Sequence, residues 1–392
     1  MGEAILKKPL NIAVLGSGFM GRAHANAYKQ VGQFFESGYQ PVLKVCYGRE
    51  ENRGNLEAFA SRWGFGSFDT NWQRIIERED IDLIDVCLPN HMHYDVVMAA
   101  AAAGKMIACE KPLAMNVAEA QEMSEAVSRA GVASLVWYNY RRVPAIALAK
   151  QIIDEGRVGK AFHYRATYNQ DYTISGDVPQ GGRGLWRLDS KIAGSGVTGD
   201  LLAHSIDTAE WLNGPIRQVV AKTETFVKKR LHQDSGKIQL VDIDDACMFL
   251  AEFENGSIGT FESTRYARGR KNYKTFELNG ENGALHFDLE DPHILEFFRY
   301  ADPETGEKCE DHLTGWQRIH VSNAEHPYMD KWWVPGTTIG YEHTFINTLA
   351  DFLAGLESGV PAEPTIRSGL RTQIVCDAVL ESARNKGWVE IS

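Results

Sequence analysis

The sequence predicts an α/β protein in two parts: a doubly wound parallel sheet, then an α+β domain with a large, mostly antiparallel open sheet. Three observations carry that expectation. Short apolar strands alternate with helical stretches from Asn11 to Trp137, the pattern of a parallel sheet covered on both faces. From Ala161 the period changes to the every-second-residue alternation of half-buried strands, joined by short turns containing Gly and Asn. A chain of 392 residues is also too long for one ordinary core. The expected division is 1–140 and 141–392.

In the first part, Asn11-Ile-Ala-Val-Leu15 reads as a strand running into Gly16-Ser-Gly18-Phe19-Met20-Gly21, and then into a helix through Tyr28. A lone G-x-G-x-x-G is weak. Between a strand and a helix it is the Rossmann dinucleotide fingerprint. Gly16 allows the tight turn, Gly18 lets the backbone approach a pyrophosphate, Gly21 lets helix and strand pack closely, and the helix N-terminus offers N–H groups to phosphate. Further strands are expected at Pro41–Tyr47, Asp82–Leu88, Lys105–Cys109 and Val132–Trp137. Helices are expected at Asn55–Trp63, Tyr94–Ala103 and Val117–Arg129.

In such a sheet the carboxyl ends of the strands share one rim, where ligands bind. Three ends carry polar groups: Leu88-Pro89-Asn90 with His91 and His93, Glu110-Lys111-Pro112, and Tyr138-Asn139-Tyr140-Arg141. The second strand ends in Tyr47-Gly48-Arg49-Glu50, without the carboxylate that holds a ribose 2′-hydroxyl. Arg49 could take a 2′-phosphate or stack on adenine, so NAD and NADP both stay open. His91 and His93 lack further clustered ligands, and no metal site is expected.

In the second part a helix is expected at Val143–Glu155, with Gly156 as its C-cap, then a strand at Ala161–Asn169 and a helix at Leu201–Leu212. Strands follow at Val219–Val227, Asp245–Phe253, Ser257–Arg265, Lys274–Leu278 and Ala284–Phe287. Ala246–Phe253 is apolar on both faces, so a homo-oligomer, dimer or tetramer, is expected through this sheet. Residues 300–326 read as a long polar loop, and helices are expected at Glu342–Leu356 and Ile366–Asn385. Trp332-Trp333 fits a sugar-pocket wall, an interface or core equally well. Before the helix at Leu201 lies a glycine-rich lead-in, Gly194-Ser-Gly-Val-Thr-Gly199, then Asp200 and His204. On a helix those two share one face, and a carboxylate beside an imidazole can move a proton near neutral pH. In isolation such a pair is also a common surface contact.

Composition narrows the function. Hydrophobic residues are 44% and charged residues 24%, as in soluble globular proteins. The net charge of −11, without a Lys/Arg block, argues against nucleic acid as a partner. The longest apolar run, Val96–Ala103, is too short to span a bilayer, and no signal peptide is expected. Six cysteines without a CxxC pair read as reduced thiols of a cytoplasmic protein.

The Gly16–Gly21 loop, Pro89-Asn90 with His93, Glu110-Lys111-Pro112 and Gly194–His204, in that order, resemble the glucose–fructose oxidoreductase / inositol dehydrogenase / rhizopine-catabolism (Gfo/Idh/MocA) family over nearly the whole chain. Tyr138–Pro144, Tyr168–Asp171, Leu185–Arg187, His326–Tyr328 with Trp332-Trp333, and Gly340–Phe345 are similar to its levoglucosan dehydrogenase and glycoside 3-dehydrogenase branch. The resemblance implies Lys111, Asp200 and His204 as the catalytic set, converging on one pocket, and NAD as cofactor. It implies a sugar or polyol substrate, oxidised at a hydroxyl carbon, in this branch carbon 3 of a pyranoside or an anhydrosugar such as levoglucosan.

In that scheme His204 is the general base, Lys111 stabilises the developing alkoxide, and Asp200 holds the hydroxyl or orients the imidazole. Expected cofactor contacts are Gly16, Gly18, Phe19, Met20, Gly21, Arg49, Trp72, Leu88, Pro89, Asn90, His93, Glu110 and Lys111. Expected substrate contacts are Lys111, Tyr138, Asn139, Gln170, Trp186, Asp200, His204 and His343, with Arg265 a further candidate. Alternatives are a myo- or scyllo-inositol dehydrogenase, an NAD-recycling glycosidase, and a non-catalytic nucleotide sensor.

Overall fold

The computed structural model describes residues 7–182, 185–302, 304–309 and 312–391. Two compact units emerge: Met1–Arg142 with Ile339–Arg371, and Val143–Thr338 with Thr372–Ser392.

The first unit alternates β1 (Lys8–Leu15), α1 (Phe19–Phe34), β2 (Tyr39–Tyr47), α2 (Arg53–Trp63), β3 (Ser67–Asp69), α3 (Trp72–Ile76), β4 (Leu83–Val86), α4 (His93–Ala102), β5 (Met106–Cys109), α5 (Val117–Ala130) and β6 (Ser134–Val136). All six strands are parallel, in the order β3-β2-β1-β4-β5-β6. The strand order reverses between β1 and β4, which places the ligand crevice outside their carboxyl ends. Local chemistry sets the helix ends. Asn116 accepts the Glu119 N–H at the start of α5, and Gly131, in the left-handed region, closes it.

The second unit holds α6 (Pro144–Asp154), β7 (Ala161–Asn169), α7 (Ser190–Ala193), α8 (Ala203–Asn213), β8 (Ile216–Glu224), β9 (Lys229–His232), β10 (Lys237–Leu240), β11 (Ala246–Phe253), β12 (Ile258–Thr264), β13 (Tyr273–Gly280), β14 (Gly283–Asp288), β15 (Ile294–Arg299) and β16 (Trp316–His320). After these come α9 (Tyr341–Ser358), α10 (Ile366–Asn385) and β17 (Val389–Glu390). Nine strands form one sheet in the order β16-β15-β14-β13-β7-β12-β11-β8-β17. Its pairs are antiparallel except β7 with β12. The inner face packs an aromatic core: the Phe249 and Phe261 rings stack at 4.3 Å, and Tyr164 stacks on both Phe261 and Phe276. On the other face Met248, Leu250 and Ile258 are about half exposed.

Two expectations need correction. The stretch 300–326 is not all loop, because 316–320 form edge strand β16. Its side chains are almost all exposed, so no inside–outside alternation marked it. The C-terminal part is also not wholly separate from the first unit. α9 packs on α1, with Phe345 against His24 and Trp137, so 339–371 complete the first unit. Among the described residues no helix is long and apolar enough to cross a membrane. All six cysteines are free thiols.

Candidate active site

The glycine loop has the geometry its spacing predicts. Gly16 takes φ +127°, and a Cβ there would stand 2.4 Å from the Cys87 carbonyl oxygen. A Cβ on Gly21 would stand 1.9 Å from the Gly16 carbonyl oxygen. Gly18 is different: nothing lies within 4 Å of where its Cβ would be. Two glycines therefore close the turn and the third leaves an open cradle at the start of α1, a helix with no side-chain cap. A pyrophosphate fits such a cradle. At the end of β2 the exposed Arg49 side chain pairs with Glu51 at 3.1 Å, an exposed contact of small energetic weight.

Around the rim, several predicted side chains serve the fold. His93 is fully buried, its ring nitrogens 2.9 Å from the Leu88 carbonyl and 3.1 Å from that of Pro112. It ties the turn after β4 to the turn after β5, and burial holds its pKa below the ordinary imidazole value. Asn139 donates to Thr344 Oγ1 at 2.7 Å. His343, in the first turn of α9, accepts the Gly340 N–H at 3.0 Å through Nδ1. Leu88, Asn90 and Tyr138 are buried, Met20, Trp72 and Lys111 are partly exposed, and Phe19 is exposed, with its ring against Tyr341. Pro89 is extended at the head of the 3-10 turn Asn90–Met92. The Lys111–Pro112 bond is cis.

Under this rim lies a buried network that the sequence reading missed. His24 Nδ1 sits 2.9 Å from Asp85 Oδ2 and 3.0 Å from Cys87 Sγ, and its Nε2 sits 3.0 Å from Glu110 Oε1. Trp137 Nε1 donates to Asp85 Oδ1 at 3.0 Å, and the Lys111 N–H donates to Glu110 Oε2 at 3.2 Å. Burial opposes charge on His24, but the Asp85 carboxylate outweighs it and holds the ring's pKa well above its ordinary value. Burial and the Asp85 charge push the Cys87 thiol up to about 12. A legible signal existed: Asp85 is a charge inside an apolar strand, and His24 lies three residues after Gly21, on the packed face of α1.

In the second unit Asp200 lies in a π-helical turn, Thr198–Leu202, that leads into α8. Such turns are rare and concentrate at functional sites. Gly196, in the glycine-rich lead-in, has no room for a side chain. A Cβ there would stand 1.8 Å from the Asp244 carbonyl oxygen, so the close approach is to backbone. The Asp244 carboxylate accepts the N–H groups of Gly196 and Thr198 and the Thr198 hydroxyl at 2.6–2.8 Å, anchoring the turn. Asp200 Oδ2 accepts from the fully buried Arg265 Nη2 at 2.8 Å, and Arg187 Nε lies 3.6 Å from Oδ1.

Arg187 also lies over the Trp186 ring, 4.5 Å from its centroid, and Trp186 packs on the Ala193, Val241 and Ile243 cluster. His204 is buried, its ring 6.1 Å from that of Tyr168, and its carbonyl accepts the Thr208 hydroxyl. Gln170 and Tyr168 both donate to Asn272 Oδ1. Beneath His204, buried Lys274 donates to Thr208 Oγ1 at 3.2 Å; burial lowers its pKa to about 8 against the opposing pull of Asp207. Trp332 is buried and Trp333 half exposed.

Comparison with known proteins gives the family. Residues 10–140 match the oxidoreductase family with NAD-binding Rossmann fold, and residues 146–286 match the GFO/IDH/MocA C-terminal domain. Levoglucosan dehydrogenase of Pseudarthrobacter phenanthrenivorans is 36% identical over 396 residues, covering 97% of this chain and 98% of the relative. The NAD(+)-dependent scyllo-inositol 2-dehydrogenase of Bacillus subtilis is 25% identical, covering 94% of this chain and 97% of its own. Among solved structures, levoglucosan dehydrogenase in complex with NADH and levoglucosan superposes with a TM-score of 0.91 at 36% identity, over 98% of this chain and 100% of that one. An oxidoreductase domain protein from Kribbella flavida superposes with a TM-score of 0.91 at 40% identity over the same shares. With both parts matched and a relative aligned over almost its full length, the chain belongs to the Gfo/Idh/MocA family of oxidoreductases, and its first unit is the NAD-binding Rossmann domain of that family.

Proposed function

We propose that this protein is an NAD-dependent dehydrogenase of a sugar or polyol hydroxyl, acting on carbon 3 of a pyranoside or of an anhydrosugar such as levoglucosan. The observation that carries the reading is the near-full-length likeness to a levoglucosan dehydrogenase, together with an open glycine cradle at Gly18. The nicotinamide, when bound, takes the hydride. The chain's own residues handle charge and protons. His204 receives the proton of the reacting hydroxyl. Lys111 places positive charge where the alkoxide develops. Asp200 accepts a hydrogen bond from a sugar hydroxyl, held in one orientation by Arg265 and Arg187. The partly exposed Trp186-Arg187 stack offers a flat flank for a pyranose.

The match of residues 10–140 to an NAD-binding Rossmann family and the likeness to a levoglucosan dehydrogenase in complex with NADH favour NAD over NADP. The half-exposed Met248, Leu250 and Ile258 support a homo-oligomer built through the outer face of the large sheet. Six free thiols support a cytoplasmic site of action. The deciding experiment follows absorbance of the reduced nicotinamide with levoglucosan, pyranosides, and myo- and scyllo-inositol, with NAD and NADP in parallel. Turnover of levoglucosan or a pyranoside with NAD is the expected result. Turnover of inositols alone moves the substrate to the polyol class, and silence across the panel overturns the reading.

A further inference from the structure

His24 is not among the expected cofactor or substrate contacts, yet it is the hub of a buried charged cluster in the first unit. Its ring lies between two carboxylates from different strand ends, Asp85 on β4 and Glu110 after β5. Both are buried, Asp85 completely. Two buried carboxylates on either side of one ring repel each other and lose hydration, which the interior tolerates only with a cation or a proton between them. Among the described residues, Asp85 and Cys87 stand at Nδ1, Glu110 at Nε2, and the Trp137 and Phe345 rings lie tilted against the imidazole. Tyr28, one turn further along α1, also lies in the field of Asp85. Glu110 spends one oxygen on this ring and the other on the backbone N–H of Lys111.

We propose that His24 is a positioning residue for Lys111: clamped between Asp85 and Glu110, its ring fixes the carboxylate whose second oxygen holds the Lys111 backbone. The inference rests on the reading of Lys111 as a catalytic residue. It adds that α1, whose N-terminus forms the cofactor cradle, also sets the lysine. The ring acts as an imidazolium, balancing Asp85 and Glu110. A neutral replacement leaves those two carboxylates facing each other, and one takes up a proton. Glu110 then loses its fixed orientation, and Lys111 loses its anchor. The Cys87 thiol stays protonated beside the ring and adds no charge. The 2.9–3.0 Å spacings around Nδ1 are those of hydrogen bonds.

The test uses the full chain. In His24→Gln, kcat with levoglucosan and NAD falls at least about tenfold at neutral pH, while KM and NADH affinity by fluorescence titration change less than about threefold. The variant's kcat climbs with pH as the shared proton leaves, a limb the parent lacks. Adding Asp85→Asn to His24→Gln removes one of the facing charges and recovers at least about threefold of the loss. A role in packing alone predicts neither the pH limb nor the recovery. Independently of activity, ring nitrogen shifts of ¹⁵N-histidine protein show one of the 12 histidines still imidazolium at pH 8, where an ordinary imidazole of pKa about 6.5 is neutral. That measurement decides the matter should His24→Gln fail to fold.

Parent-like turnover of His24→Gln at all pH values, loss of NADH affinity in step with kcat, or a neutral ring at pH 8 overturns the proposal. Lys111→Ala separates the two levels. Near-normal turnover in Lys111→Ala overturns the catalytic reading itself. An inert Lys111→Ala beside a fully active His24→Gln overturns only the role of His24.

Discussion

Arg265, with no solvent exposure, donates from Nη2 to Asp200 Oδ2 at 2.8 Å. The same guanidinium reaches the Arg187 carbonyl at 3.3 Å through Nη1. One buried cation therefore fixes both the candidate carboxylate and the backbone of the Trp186-Arg187 stack. Removing it leaves Asp200 without its main compensating charge. We expect Arg265→Met to lower stability by about 2–4 kcal/mol, toward the lower part of the range for breaking a buried pair, since Asp200 keeps some solvent contact. Asp200→Asn in the Arg265→Met background should recover part of that loss. Denaturant midpoints at constant m-value measure both.

His204→Ala should lower kcat by about 10²–10⁴-fold, the usual cost of losing a positioned acid/base. NADH affinity should be retained, because the glycine cradle belongs to the first unit. Stopped-flow turnover beside fluorescence titration checks the split. Near-normal turnover removes His204 from the mechanism.

Two glycines should respond in opposite ways to the same added methyl. Gly196→Ala drives a Cβ into the Asp244 backbone, and should cost about 3 kcal/mol, the upper end for overpacking. Gly18→Ala meets nothing within 4 Å, so stability should stay within about 0.5 kcal/mol. Its methyl occupies the phosphate cradle, and NADH should bind at least about tenfold more weakly, or about 1.4 kcal/mol. Unfolding curves and NADH titrations of the two variants are sufficient; a Gly18→Ala protein with parent affinity would mean the cradle does not hold the cofactor.

Lys274 supplies a pH prediction. Its folded pKa of about 8 lies below the ordinary 10.5, because burial opposes the charge. Between those values the unfolded chain holds a proton that the folded chain has released. Stability contributed by this site therefore rises with pH from about 8 to about 10.5. The buried thiols and tyrosines, whose pKa values are raised, act in the opposite sense. The informative quantity is thus the difference between the parent and Lys274→Met. The parent should gain about 1–3 kcal/mol on the variant across that window. A pH-independent difference would show that Lys274 does not titrate there.

The outer face of the large sheet gives a simpler test. Leu250→Asp places a charge among Met248, Leu250 and Ile258. Sedimentation should show an oligomer for the parent and dissociation for the variant at micromolar concentration. A monomeric parent overturns the assembly.

Much of the fold was legible because burial imposes periodicity. The strand at Ala161–Asn169 and the helix at Ile366–Asn385 match their expected bounds. Strand β16, lying exposed at an edge, left no alternation to read. Hairpin β9–β10 was equally opaque: it includes the buried Arg230, whose Nη1 and Nη2 donate to the carbonyls of Thr173, Ser175 and Val178, contacts more than about 50 residues away in sequence that no local pattern encodes. At the candidate site, spacing pointed to Gly16 and Gly21, where an added Cβ would meet backbone, and to Gly18, which faces open space. It could not separate side chains that meet ligands from those that brace the fold. His93, Asn139 and His343 look like rim residues in sequence, yet each is engaged by a fold partner. Asp200 and Arg265, 65 positions apart, form a pair that only the folded chain brings together.

The return of residues 339–371 to the first unit bears on how the protein is made. Residues 1–142 leave the ribosome first, but Phe345, which covers His24 and Trp137, is synthesised only after the bulk of the second unit. At about 5–20 residues per second, the intervening stretch takes roughly 10–40 s to appear. Throughout that interval the nascent nucleotide-binding unit carries an uncovered aromatic flank next to its charged hub. The dinucleotide half, although encoded first, is therefore finished late, and a truncated message would yield a sticky, chaperone-dependent fragment instead of a small working binding domain.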